Sequence, residues 1–201
     1  MIHPSTELRF ISPEKGIGVV ATEFIPKGTI TWIFDPLDQV FTPQEVINLS
    51  AMFRNFLDKF AYKDIEGNLV LCWDHARFVN HSYNSNCIST AYNFELAVRD
   101  IYPGEEITND YGYLNLSEPF YALAEEGSDR VCVLPDDILR YHREWDSKLF
   151  NAFKHFNLVA QPLAGLIDPK YLGKVRAVAA GRAAMDSILN CYYDPQRKLA
   201  A

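Results

Sequence analysis

The feature that most constrains this chain is a pair of polar clusters set between apolar runs. They are Asn80-His81-Ser82-Tyr83-Asn84-Ser85-Asn86-Cys87 and Pro103-Gly104-Glu105-Glu106-Ile107-Thr108-Asn109-Asp110-Tyr111-Gly112. Such runs of side chains with donors or acceptors do not suit ordinary core, because each buried polar group needs a partner. Between them, the run from Ser89 to Val98 predicts one strand; Arg99-Asp100 begins a turn that Pro103-Gly104 completes. Both clusters therefore fall at neighbouring strand ends, where loops commonly hold functional sites.

The rest of the chain supplies a β-rich frame followed by helices. Leu8-Arg-Phe-Ile11 predicts a short strand and Ser12 to Gly16 a turn, with further strands over Gly16-Ile-Gly18-Val-Val-Ala21 and Thr29 to Phe34. The glycine pair also fits a loose dinucleotide-binding pattern, which requires a helix opening at the glycines. Val19, Val20, Thr22 and Ile25 favour strand instead, and Pro26-Lys-Gly28 stops the element too early for a crossover helix. Thr42-Pro43-Gln-Glu45 is a capped helix start, and Val46, Leu49, Phe53, Phe56 and Phe60 recur at helical spacing. They predict one helix docked by its apolar face. Asp64 to Asn68 predicts a turn, and Leu69 to Trp73 a strand.

Ser117-Glu-Pro-Phe120 predicts a further helix cap. Pro135-Asp-Asp137 opens a helix with Ile138, Trp145, Leu149, Phe153 and Phe156 on one face, and Asp168-Pro169 opens another with Leu172, Val175, Ala179 and Leu189 inward. The expected organisation is a β-rich unit over residues 5–116 and a helical extension over 117–201.

At 201 residues and 48% hydrophobic content, the chain can bury a sizeable core. Asp+Glu 26 against Lys+Arg 19 disfavours a general nucleic-acid binder, which needs a basic face. Cys72, Cys87, Cys132 and Cys191 are scattered without a Cys-x-x-Cys pair, which suits a reducing compartment. With no signal-like segment and no membrane-length apolar run, the expected location is cytoplasmic, without membrane contact. Cys72, His75, His81 and Cys87 have irregular gaps, so no metal is expected. A Cys87/His81 thiol enzyme lacks an orienting third group.

The segment Arg77-Phe-Val-Asn80-His81-Ser82 through Asn86, followed by Gly104-Glu-Glu-Ile-Thr-Asn-Asp110-Tyr111-Gly112, resembles the signature of the SET-domain protein lysine methyltransferases. The resemblance covers about Leu8 to Leu116. It implies an α+β fold, β-rich, of several small sheets with one segment threaded through a loop as a pseudoknot. The helical extension follows it. It further implies S-adenosylmethionine as cofactor and a lysine in a protein or peptide, basic and histone-like, as methyl acceptor. By resemblance Tyr111 is the catalytic tyrosine, and Gly16, Ile17, Gly18, Arg77, Asn80, His81 and Tyr111 contact the cofactor. Tyr62, Trp73, Asn109 and Tyr113 are the expected substrate-channel residues.

The chemistry suits these residue types. A lysine with pKa about 10.4 is neutral only to roughly one part in a few thousand at pH 7, so apolar walls must favour the neutral amine. Alignment of amine, methyl and sulfur is a positioning task, which weak C–H···O contacts from a fixed tyrosine can guide.

Three departures from the family pattern stand out. Many members carry Cys after Asn-His-Ser and a Cys-x-Cys beyond the tyrosine, which together bind zinc; here Tyr83 stands first and only Cys132 follows. The wall over the adenine then falls to Phe120 or Trp145. Asn109 occupies a position that is often Phe or Tyr and influences how many methyls are added. The resemblance assigns no role to the C-terminal helices, which are open to two uses, a homodimer contact or a lid on the groove. Glu105, Glu106 and Asp110 form an acidic run that could attract a basic peptide. The alternative reading is a catalytically inactive SET-fold module that binds a protein; the intact motif set favours the enzyme.

Overall fold

A computed structural model describes residues 1–194 and residue 196. Its strands are β1 (Thr6–Ser12), β2 (Gly16–Ala21), β3 (Ile30–Ile33), β4 (Gln39–Phe41), β5 (Ala61–Lys63), β6 (Leu69–Leu71), β7 (Asn80–His81), β8 (Cys87–Ser89), β9 (Phe94–Ala97) and β10 (Glu106–Asn109). Its α-helices are α1 (Pro43–Asn48), α2 (Ala51–Phe60), α3 (Asp137–Phe153) and α4 (Pro169–Ala179). One sheet runs β1-β2-β10-β8-β9-β3 with β7 also on β10, and a three-stranded sheet runs β4-β6-β5. This is the β-rich α+β architecture of small sheets and C-terminal helices that the sequence resemblance implied.

The short strand β10 organises the larger sheet. It pairs antiparallel with β2 through Glu106↔Val20 and Ile107↔Val19. It also pairs in parallel with β7, through Thr108↔Asn80 and Asn109↔His81, and with β8, through Asn109↔Cys87. Four residues thus tie both polar clusters to the glycine-bearing strand. β1 and β2 form the expected hairpin, and Gly16 turns it at φ 74°, a left-handed conformation that glycine adopts without a Cβ penalty.

Several local expectations are corrected. The run from Ser89 to Val98 is two strands, β8 and β9, paired as a hairpin. The turn is closed by Thr90, whose amide and hydroxyl both donate to Phe94 O, and by Asn93 at φ 60°. Asparagine is among the few residues that visit this region readily. Thr42 and Glu45 do form the capping box, but the helix ends at Asn48 and a second begins at Ala51, with Leu49 and Ser50 extended between them. The break divides the apolar stripe: only Leu57 of α2 is buried, while Phe53 and Phe56 remain exposed. Ser117 opens no helix; Phe120 instead makes a bridge with Val133. The last helix stops at Ala179, and Leu189 lies in a later 3₁₀ turn, Ile188–Cys191.

The core joins the two parts of the chain. Ile30, Ile88, Phe94 and Leu96 of the sheet pack with Trp145, Leu149 and Phe153 of α3, Val175 of α4, and Ile188. Each such side chain contributes roughly 1.5–3 kcal/mol when fully buried. The change at residue 116 is therefore one of composition, not a gap in packing. Among the described residues, no helix is long and apolar enough to cross a membrane.

Candidate active site

β10 ends at Asn109, and Asp110 then caps the 3₁₀ turn Tyr111–Tyr113, its Oδ1 accepting from the Gly112 amide at 3.0 Å. Asp110 is 0% exposed, so its charge needs a partner. Arg130 supplies it, donating from Nη1 to Asp110 Oδ2, from Nη2 to Asp110 Oδ1 at 3.2 Å, and from Nη2 to Asp137 Oδ2 at 2.7 Å. The same guanidinium lies 4.6 Å from the centre of the Tyr83 ring and 4.4 Å from that of Tyr141. Arg130 thereby anchors the turn that carries Tyr111 to the start of α3.

The Tyr111 amide donates to His81 Nδ1 at 3.1 Å, and its hydroxyl donates to Val79 O at 2.8 Å. Burial, and then the Glu106 charge, pushes its phenol up to about 12. At neutral pH the hydroxyl is a fixed dipole and not a base. His81 moves the other way, down to about 4, through burial and then the charges of Arg130 and Lys15. It is a neutral ring packed edge-on to Tyr83, with Tyr111 and Phe120 at 5.3 and 5.7 Å between centroids. Its Nε2 is buried without a hydrogen-bond partner among the described residues.

Asn80 ties this cluster to the glycine strand. Its Nδ2 donates to Glu106 Oε1 at 2.8 Å and to Ile17 O at 3.3 Å, while Lys15 Nζ holds Glu106 Oε2 at 2.9 Å. Such close approach requires Gly18. A Cβ there would lie 2.6 Å from Glu106 Oε1, 2.7 Å from Ile11 Cγ1 and 2.8 Å from Asn80 Nδ2. Gly18→Ala is accordingly expected to force the Asn80–Glu106 pair apart and cost about 1–3 kcal/mol, read as a lower urea midpoint. An unchanged midpoint would show that the neighbours yield freely. Arg77 sits lower, its Nη1 donating to Cys72 O and Trp73 O, both at 3.4 Å, with the guanidinium 5.3 Å from the Phe78 ring centre.

A cavity of about 930 Å³ opens against Tyr111, lined by Trp32, Tyr62, Glu95, Asn109 and Tyr113 among others. Tyr62 meets Trp32 edge-on at 5.7 Å, and the Tyr113 hydroxyl donates to Cys87 O at 3.1 Å. Tyr171 and Cys191 also line it, so the helical extension forms part of its wall.

Trp73 is not brought to this wall. Its indole Nε1 donates to Asp35 Oδ2 at 3.1 Å and the residue is 41% exposed, held at the surface by that bond. Of the two candidates for an aromatic cover, Phe120 stands beside Tyr111 at 5.4 Å and half exposed. Trp145 is buried edge-on against Tyr113 and cannot serve. The acidic run is not free for a peptide either. Glu105 pairs with Arg99, Glu106 with Lys15, and Asp110 with Arg130.

Three site residues were not apparent from the chain's pattern. Arg130 is one, and Glu125 another: its Oε2 accepts from Ser82 Oγ, Tyr83 N and Asn84 N at 3.0, 2.8 and 3.2 Å. Both lie in an irregular stretch with no periodic signal. Glu95 did carry one, as the lone charge in the apolar run Phe94–Ala97, every residue of which is buried.

The family model for the SET domain matches residues 16–112. One similar solved structure is a Plasmodium falciparum protein provisionally described as a histone methyltransferase. It is 22% identical, with 55% of this chain and 95% of that chain covered and a TM-score of 0.40. None of the curated proteins compared with the chain matches it.

Proposed function

With residues 16–112 forming a SET domain, we propose that the chain is an S-adenosylmethionine-dependent protein-lysine N-methyltransferase. The observation that carries this reading is the double role of Tyr111. Its amide rests on His81, beside the glycine strand and Asn80, and its ring lines the aromatic cavity.

The residues beside Tyr111 fit the cofactor. His81 Nε2 is a buried polar atom without a partner among the described residues, Gly16 has open space where a Cβ would stand, and Phe120 offers a half-exposed flat face next to His81. Gly16, Ile17, Gly18, Asn80 and His81 would hold the amino-acid end, and Phe120 the base. When bound, S-adenosylmethionine supplies an electrophilic sulfonium methyl to a neutral amine.

The chain's own residues provide the rest. Trp32, Tyr62 and Tyr113 give the cavity aromatic walls, which favour the neutral amine once its proton has left. The Tyr111 hydroxyl, fixed by Val79 O, orients the reacting groups. The substrate in this reading is an accessible lysine on a protein or peptide, and the scattered free cysteines suit the cytoplasm. Of the two uses open to the C-terminal helices, a lid on the groove is the one favoured by the lining from Tyr171 and Cys191.

The test is transfer of labelled methyl to a panel of basic proteins. Tyr111→Phe keeps the ring against His81 and Phe120 and removes only the hydroxyl. It is expected to lower kcat by roughly 100-fold or more, with cofactor affinity little changed. Transfer at full rate by the variant would remove Tyr111 from the mechanism. Cofactor binding with no transfer to any protein would favour the non-catalytic module.

A further inference from the structure

The aromatic cavity contains a carboxylate. Glu95 is 5% exposed and lies on β9, with its side chain among the cavity-lining groups. Its Oε1 accepts from Ser89 Oγ at 3.1 Å and from Asn109 Nδ2 at 2.8 Å. Oε2 has no hydrogen bond among the described residues. Asn109, 7% exposed, directs its amide nitrogen at Glu95, and its Oδ1 is a buried acceptor without a partner among the described residues. A carboxylate oxygen without a hydrogen bond among the described residues, on a buried side chain at a cavity wall with Trp32, Tyr62 and Tyr113, calls for a donor, and a cationic one best offsets the charge.

We propose that Glu95 receives the ammonium group of the substrate in this cavity and takes its proton, with Asn109 Oδ1 as the neighbouring acceptor. This assignment rests on the methyl-transfer reading for its purpose. An N–H bond of the R–NH₃⁺ group breaks, the proton passes to Glu95 Oε2, and R–NH₂ keeps the lone pair that attacks the methyl. Glu95 later returns the proton to solvent.

The tyrosines and the thiol on the cavity wall are poorer acceptors. Burial pushes Tyr111 up to about 12, and Tyr62, Tyr113 and the Cys72 thiol are all raised, again first by burial. Burial lifts Glu95 too, against the bonds from Ser89 and Asn109, but only to about 7. A base near the operating pH is the most effective kind. The ionisable groups that face Glu95 are Tyr62, Cys72, Cys87, Tyr113 and the amino group of Met1.

The test has two arms, using the full chain and the isosteric Glu95→Gln, whose thermal melt verifies folding. In the first, n-butylamine is titrated at pH 8 and followed by NMR. Saturable binding by the wild type, weakened roughly tenfold or more in the variant, is expected. No binding by the wild type, or equal binding by both, overturns the proposal.

The second arm records kcat/KM against pH. The variant is expected to fall roughly 100-fold at pH 7.5, to lose the acid limb near pH 7, and to approach the wild type as pH rises towards 10. Coincident profiles overturn the proposal while leaving the methyl-transfer reading intact. Amine binding with the expected loss in the variant, but no transfer by either chain, upholds the amine site and sinks the methyl-transfer reading instead.

Discussion

Arg130→Ala is expected to destabilise the fold by about 3–5 kcal/mol, the usual cost of removing one member of a buried ion pair. Asp110 and Asp137 are both essentially inaccessible, and Arg130 is the cation that both carboxylates contact. Without it two negative charges remain in the interior. Burial already raises the Asp110 carboxyl despite Arg130. In the variant it rises further, above its unfolded value, so the deficit is greatest at neutral pH and shrinks as acid protonates the group. Urea unfolding at pH 7.5 and pH 5 measures this. Arg130→Lys should recover only part of the loss, because an ammonium cannot reproduce the fork that spans both carboxylates. The turn bearing Tyr111 begins at Asp110, so methyl transfer is expected to fall with stability.

Glu95→Gln is expected to do the opposite, and only at one end of the pH scale. The Glu95 carboxyl titrates near 7 in the folded chain against 4.5 for an ordinary glutamate, with burial as the leading cause. A raised folded value means the native state holds the proton longer, so wild-type stability falls as pH climbs from about 4.5 to about 7 and then levels. The difference corresponds to about 3 kcal/mol. The substituted glutamine stays neutral and its amide oxygen still accepts from Ser89 and Asn109. The variant should therefore be more stable than wild type at pH 8 and equal to it at pH 4. Parallel stability curves would mean the carboxyl carries no such burden. Gained stability with lost activity at one position is the usual mark of a residue kept for function.

How much of this was legible in the chain depended on the range of the signal. Asn80 to Cys87 and Gly104 to Gly112 stood out because each cluster is contiguous, and β10 then joins them through four residues. The starts of α1 and α4 were legible because caps are local chemistry, Thr42 with Glu45 and Asp168 before Pro169, and α3 begins at the expected Asp136-Asp137 although Asp136 makes no side-chain cap bond.

What failed to show was anything set by distant partners. The turn between β8 and β9 rests on Asn93 in a left-handed conformation, and a single asparagine is a weak turn signal. Trp73 and Tyr62 look equally suited to a channel, but Asp35 holds one at the surface while Trp32 packs against the other. The α1–α2 break leaves Phe53 and Phe56 outside, because periodicity reports spacing and not whether a surface exists to receive it. Arg130 reaches Asp110 from 20 positions away, and beyond the Tyr113 turn the chain between them is irregular and carries no periodic pattern.

The central claim is that the glycine strand, Asn80, His81 and Tyr111 form a cofactor site, and titration calorimetry with S-adenosylmethionine tests it most directly. Saturable one-to-one binding is expected from the wild type, retained in Tyr111→Phe and lost or much weakened in Gly18→Ala. A wild-type chain that is folded by its melt but gives no binding heat at any accessible cofactor concentration would contradict the account.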